Sequence, residues 1–153
     1  MKLNIERLQE NLKIQCHECH GLCCVALYFS KIDGFPEDKL AGNPCNHLLD
    51  NNQCHIYNSL KEMKMKGCMI YDCFGAGQIV SQKLPSWRSS ENAMVIFGVF
   101  QKVVQLQQML SYLIDAYHIH PNFQLEQLIL ENLKVRENVL NNSTVDLDKY
   151  HQK

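Results

Sequence analysis

Cys16, Cys19, Cys23, Cys24, Cys45, Cys54, Cys68 and Cys73 are all the cysteines of this chain, and the sequence beyond Cys73 has none. The first four form C-x2-C-x3-C-C, and the others follow as C-x8-C and C-x4-C. Thiolates gathered in such number are soft ligands, suited to zinc, copper(I) or iron–sulfur clusters. Structural zinc takes four thiolates or imidazoles in a tetrahedron, and a pair two residues apart, as in Cys16-His17-Glu18-Cys19, is a common local device for it. Eight donors supply two closed four-ligand sites or one shared cluster. Adjacent side chains diverge, so Cys23 and Cys24 more naturally serve two neighbouring sites, or one of them stands back from the metal.

Iron–sulfur is the rival occupant. The C-x2-C-x3-C run places three thiolates close together, and a distant fourth would complete a cubane, although the spacing differs from the bacterial ferredoxin run. His17, His20, His47 and His55 each sit within two residues of a cysteine. With thiols already sufficient in number, these imidazoles read as supporting groups that donate to a carbonyl or a thiolate. His118 and His120 read as helix-end or solvent-exposed residues. No residue is expected to be catalytic: no cysteine is singled out as a nucleophile, and Gly75-Ala76-Gly77 lacks the Lys-Ser/Thr of a phosphate loop.

The remaining composition narrows the partners. At 153 residues, 46% apolar and 20% charged, the chain reads as one ordinary globular domain. A net charge of −1 gives no grip on nucleic acid or an anionic membrane, so neither is expected as a partner. The longest mainly apolar run, Ala93 to Val104, is short for a bilayer and is interrupted by Gly98, Gln101 and Lys102. Charges at Lys2, Glu6 and Arg7 do not suit a secretory leader. The expected location is cytoplasmic, where thiols stay reduced and clustered cysteines bind metal rather than form disulfides.

These thiols need elements to position them. Residues 3 to 15 read as an amphipathic helix with Ile5, Leu8 and Leu12 on one face. From Cys16 to Pro44 the chain reads as mostly loop, with a short buried strand over Val25 to Phe29, a turn of helix from Pro36 to Leu40 and a turn at Gly42-Asn43-Pro44. Residues 55 to 66 read as a helix ended by Gly67 in a left-handed cap, aiming Cys68 at the site. Phe74 to Gly77 reads as a tight turn. Trp87 reads as a half-buried anchor rather than, with Arg88, a ligand-stacking pair. An apolar heptad runs through Ile96, Val99, Val103, Leu106, Leu110, Leu113 and Tyr117, widened by Phe100, Met109 and Ile114. A last helix over residues 122 to 141 should fold back on it as an antiparallel hairpin. The tail from Asn142 is polar and expected to fray.

The run Cys19-His20-Gly21-Leu22-Cys23-Cys24, preceded by Cys16, resembles the signature of the YkgJ-like CxxxCC domains, regarded as zinc- or iron-chelating. The likeness continues through Cys45-Asn46-His47-Leu48-Leu49-Asp50, Cys54-His55-Ile56-Tyr57, Cys68 and Cys73. That family has Arg-Pro before its penultimate cysteine and an arginine after it, where this chain has Lys66-Gly67 and Met69. Closer still is the cysteine-rich N-terminal module of bacterial pentapeptide-repeat proteins, which is similar over roughly residues 15 to 120 and through Gly67 to Gln78. The chain has no pentapeptide repeats. Some of the broader family, such as flagellin lysine methylases, look like iron–sulfur enzymes, and nothing here resembles a methyl-donor pocket. The resemblance implies a metal module with all eight cysteines as ligands.

The expectation is therefore a mainly α domain spanning 1–153. Its irregular, metal-stapled cysteine-rich half (1–77) packs against a helical half (78–153) that ends in an α-hairpin. Zinc held by the eight thiolates makes the protein an interaction or adaptor module for a protein partner. An iron–sulfur protein and a metal storage or transfer protein are the alternatives. A monomer is favoured, with the 96–117 heptad as the route to a homodimer.

Overall fold

The computed structural model describes residues 3–142, so the expectation for the tail beyond Asn142 lies outside the described residues. The chain is mainly helical and ends in a helical hairpin, as the heptad implies. The hairpin consists of α5 (Ala93–Ile119) and α6 (Phe123–Asn141). Asn122 caps α6 by accepting a hydrogen bond from the Leu125 backbone N–H through its side-chain oxygen. The stripe on α5 is buried from Ile96 to Leu110, where Phe100, Val103, Leu106 and Leu110 are fully enclosed, and half-buried at Leu113 and Tyr117. Val135, Val139 and Leu140 of α6 join Val99, Phe100 and Val103 in one core. The heptad is thus covered by the chain's own elements. By length and composition α5 would also suit a bilayer, but its buried stripe here serves as the axis of the bundle.

The first helix, α1 (Ile5–Asn11), is shorter than the expected 3–15, and Asn4 caps it. Ile5, Leu8 and Leu12 do share one face, which packs on Leu110, Ile114 and Ile129 at the middle of the hairpin. Between α1 and α5 lie three short helices. They are α2 (Leu22–Ala26), α3 (Lys66–Ile70) and α4 (Ala76–Lys83). The division expected at residue 77 falls inside α4, which packs on α5. Ala76 and Val80 of α4 are fully buried against that helix.

Several expectations for residues 16–77 are corrected. Val25 and Ala26 end α2 instead of starting a strand. Phe29 instead makes an isolated bridge with Lys39, which replaces the expected helical turn over Pro36 to Leu40. The helix expected over 55–66 is broken into a 3-10 turn at Tyr57–Ser59 and successive turns. Lys64 adopts a left-handed backbone (φ 56°), and its carbonyl stands where a Cβ on Gly34 would sit. Gly67 is not a cap: it lies within α3, against Asp33 and the Phe29 ring. The turn expected at Phe74 to Gly77 is present only as the left-handed residues Phe74 and Gly75, from which α4 starts.

The cysteine-bearing half has its own small core. Phe29, Phe35, Ile56 and Met65 are buried together, with Phe29 and Phe35 stacked at 5.1 Å. Trp87 is half-buried as expected; its indole N–H donates to the His20 carbonyl at 2.8 Å, and the Arg88 guanidinium lies over its ring.

Candidate metal centre

Cys16 and Cys19 are held by a 3-10 turn, Cys16–Glu18, in which the Cys19 N–H donates to the Cys16 carbonyl at 3.1 Å. That turn is fastened to α4. The Gln78 side chain accepts from the Gln15 N–H at 3.2 Å and donates to the Lys13 carbonyl at 2.6 Å. Ser81 Oγ accepts from the His20 N–H at 2.8 Å. Gly77 lets the turn approach the helix closely, for a Cβ there would lie 2.6 Å from Cys19 Sγ and 3.9 Å from Cys73 Sγ. Cys73, the one buried cysteine, sits just before α4. Its neighbour Phe74 is tied to the hairpin, because its carbonyl accepts from Gln107 on α5, whose oxygen accepts from Arg136 on α6.

Cys23 and Cys24 lie on α2, with their sulfurs 4.0 Å apart. The Cys24 carbonyl accepts from the Cys45 N–H at 2.9 Å, which draws the second group of thiols to this helix. Cys54 is placed by a bridge with Leu48, and Cys68 lies in α3. Behind them Lys39 is buried. Its Nζ donates to the carbonyls of Val25 (3.1 Å), Leu40 (3.0 Å) and Leu27, so all three of its protons are used. Arg88 braces the 45–54 loop from outside through Asn52 Oδ1 and the Leu49 carbonyl.

All eight expected residues, Cys16, Cys19, Cys23, Cys24, Cys45, Cys54, Cys68 and Cys73, line one cavity of about 350 Å³. Of the four expected supporting histidines only His47 joins them; His17 and His55 are exposed, and His20 contributes through its backbone. Lys39, Tyr57 and Tyr71 also face the cavity. None of these three was visible in the cysteine pattern. A lone lysine among glycine, proline and acidic residues carries no signal of burial, and the helical periodicity that would mark α4 spans only two turns.

Burial pushes most of the thiols up. Cys16 rises to about 11 and Cys68 to about 12, with neighbouring thiols adding to the desolvation. Cys19, Cys45 and Cys54 move the same way for the same first reason. Cys24 is the exception. The hydrogen bond from Cys23 and the charge of Lys39 favour its thiolate, while the same bond holds Cys23 protonated.

The eight sulfurs lie around one cavity, and thiolates are soft donors by type. Among the described residues, no three His, Cys, Asp or Glu side chains converge closely enough to hold a single ion. The thiols surround a space instead of meeting at one preformed apex.

The chain is similar to a Bacillus subtilis (strain 168) protein bearing the name uncharacterized protein YybG, with 44% identity over 118 residues. The match takes in 74% of this chain and 42% of that protein, so the chain spans less than half the length of its curated relative. No family model matches the chain, and no solved structure does.

Proposed function

We propose that this protein is a thiolate metal-binding module in the manner of the CxxxCC domains it resembles, with zinc as the metal and a structural role for it. The observation that carries this reading is the gathering of all eight cysteines, from Cys16 to Cys73, around one cavity. Eight clustered thiols, one buried and seven half-buried, are otherwise a poor choice for a core, since each is prone to oxidation and none fills much volume. When bound, the metal supplies crosslinks between segments that have little regular structure of their own. The chain's own residues supply the frame: α4 fixes the Cys16–Cys19 turn, and Lys39 holds α2 against the 39–45 segment.

The module would act in the cytoplasm through its surface, with a protein as partner. Exposed apolar side chains on the cysteine-bearing half, notably Ile32 and Ile70, support that part of the reading. A second reading, an iron–sulfur protein, is favoured by one observation: the thiols surround a space rather than a point. That arrangement suits a multi-atom cluster.

The test is metal content with an absorption spectrum, on protein purified anaerobically without nickel affinity resin. About one to two zinc per chain and no visible band is the expected result. Iron with acid-labile sulfide would replace the first reading with the second. Protein isolated without metal that takes up neither zinc nor iron would overturn both.

A further inference from the structure

The Cys23 and Cys24 sulfurs lie 4.0 Å apart on α2 and share a hydrogen bond. Among the described residues no other two thiols are joined in this way. Both line the cavity, and both are half-buried, so a small solute in the cavity reaches them. We propose that this pair is a redox site: hydrogen peroxide oxidises Cys23 and Cys24 to a disulfide within α2, reversibly and ahead of the other thiols. The inference goes beyond the metal-binding reading and does not depend on it.

The chemistry takes two steps. One sulfur attacks a peroxide oxygen; the O–O bond breaks, an S–O bond forms and water leaves, so that this sulfur becomes a sulfenic acid. The second sulfur then displaces that oxygen, which departs with the second thiol proton as another water while the S–S bond forms. The two thiols lose two electrons and two protons, and the peroxide becomes two waters.

The fold favours the step and makes it reversible. The sulfurs have to close from 4.0 Å to about 2 Å, and α2 is the element that has to give. It is five residues long, and Gly21 before it supplies no side-chain cap. A helix of that length has little cooperative stability to lose. Neighbouring Cα atoms stand about 3.8 Å apart, below the about 4.4 Å at which ordinary disulfides begin, so the ring is strained and yields readily to a thiol reductant. Labile disulfides of that kind are the ones that sense oxidants in a reducing compartment. The consequence reaches beyond α2. The Cys24 carbonyl accepts from the Cys45 N–H, and the Val25 carbonyl accepts from the Gly42 N–H and from Lys39. The 39–45 segment thus hangs on the residues that the ring turns.

The experiment treats the full chain, as purified and again after chelation, with one equivalent of hydrogen peroxide. The remaining thiols are alkylated, and the digested chain is mapped by mass spectrometry. The expected first product is about 2 Da lighter, with Cys23 and Cys24 as the unalkylated pair, and dithiothreitol restores both thiols. Cys23→Ser and Cys24→Ser should each stop at a sulfenic acid on the remaining sulfur, trapped by dimedone. In concentrated urea the preference for this pair should vanish. A first disulfide between any other two cysteines, or an equal yield of the Cys23–Cys24 disulfide in the folded and the urea-unfolded chain, would overturn the proposal. That comparison needs no variant, so a substitution that fails to fold cannot mask it. Metal held on these sulfurs should slow the reaction until chelation. Equal rates before and after would leave the redox site standing and tell against the metal-binding reading at this pair.

Discussion

The hairpin and the cysteine-bearing segment are stabilised by different means. Residues 93–141 bury a continuous apolar stripe, with side chains such as Phe100 and Leu106 fully enclosed. Residues 16–73 have a small core of their own, Phe29, Phe35, Ile56 and Met65, lend Leu22, Val25, Ala26 and Cys73 to the large core, and otherwise hold isolated bridges in place of strand pairs and helices of five residues. Burial at about 25 cal/mol per Å² suffices for the first region. The second has too little of it, and short helices are marginal without support. The difference teaches where the proposed metal role would matter: the cysteines line a cavity in the region with the smaller apolar core.

The largest expected effect falls on the hairpin. Phe100→Ala removes a fully buried ring from the centre of the core, and a loss of about 4 kcal/mol is expected. Urea denaturation of the metal-loaded protein measures it. A loss well under 1 kcal/mol would mean that the hairpin core does not dominate stability.

Lys39→Met tests the other region. It strips the donor from the carbonyls of Val25, Leu27 and Leu40, for an expected loss of about 3 kcal/mol. Proteolysis should then open the chain between residues 24 and 54 while the hairpin stays intact. Cleavage within α5 at the same rate would break the distinction between the regions.

Gly67→Ala is a smaller change with an informative sign. If Gly67 were merely a glycine within a helix, alanine would stabilise by up to about 1 kcal/mol. Its Cβ would instead meet Asp33 Cβ at 2.7 Å and Phe29 Cδ1 at 2.9 Å. A destabilisation of about 2 kcal/mol is expected, readable as a lower melting temperature.

The smallest effect is that of pH on the metal-free, reduced protein. Cys16 and Cys68 are raised from 9.0 to about 11 and about 12, so the fold holds them as neutral thiols while the unfolded chain ionises them from pH 9 upward. Their contribution is fully present below pH 9 and is lost as pH rises through 11 and 12. The urea midpoint should fall between about pH 8 and pH 11 in this form. A midpoint that rises over that range would contradict the placement of the thiols in the cavity.

How much was legible in the sequence differs between the same two regions. The hairpin was readable because α5 repeats its apolar residues over 27 positions, and Pro121 marks the link. The eight cysteines were readable as a group because their spacing is chemical, and all eight face one cavity. The path of the chain between them was not. Ile56, Leu60 and Met63 have helical spacing, yet Met63 is half exposed and Ile56 serves the small core. There, close backbone approaches such as Gly34 to Lys64 override local periodicity. Helix α4, which clamps the Cys16–Cys19 turn through Gln78 and Ser81, was hidden behind the glycines at its start.

Hydrogen exchange of the zinc-loaded chain, compared with the same chain after chelation under reducing conditions, tests the division between the regions most directly. The amides of Phe29, Cys45 and His55, which donate to Lys39, Cys24 and His47, should lose protection when metal is removed. The amides of α5 and α6 should keep theirs. Equal loss in both regions, or no loss in either, would contradict the claim that thiolate–metal bonds stand in for a core between Cys16 and Cys73.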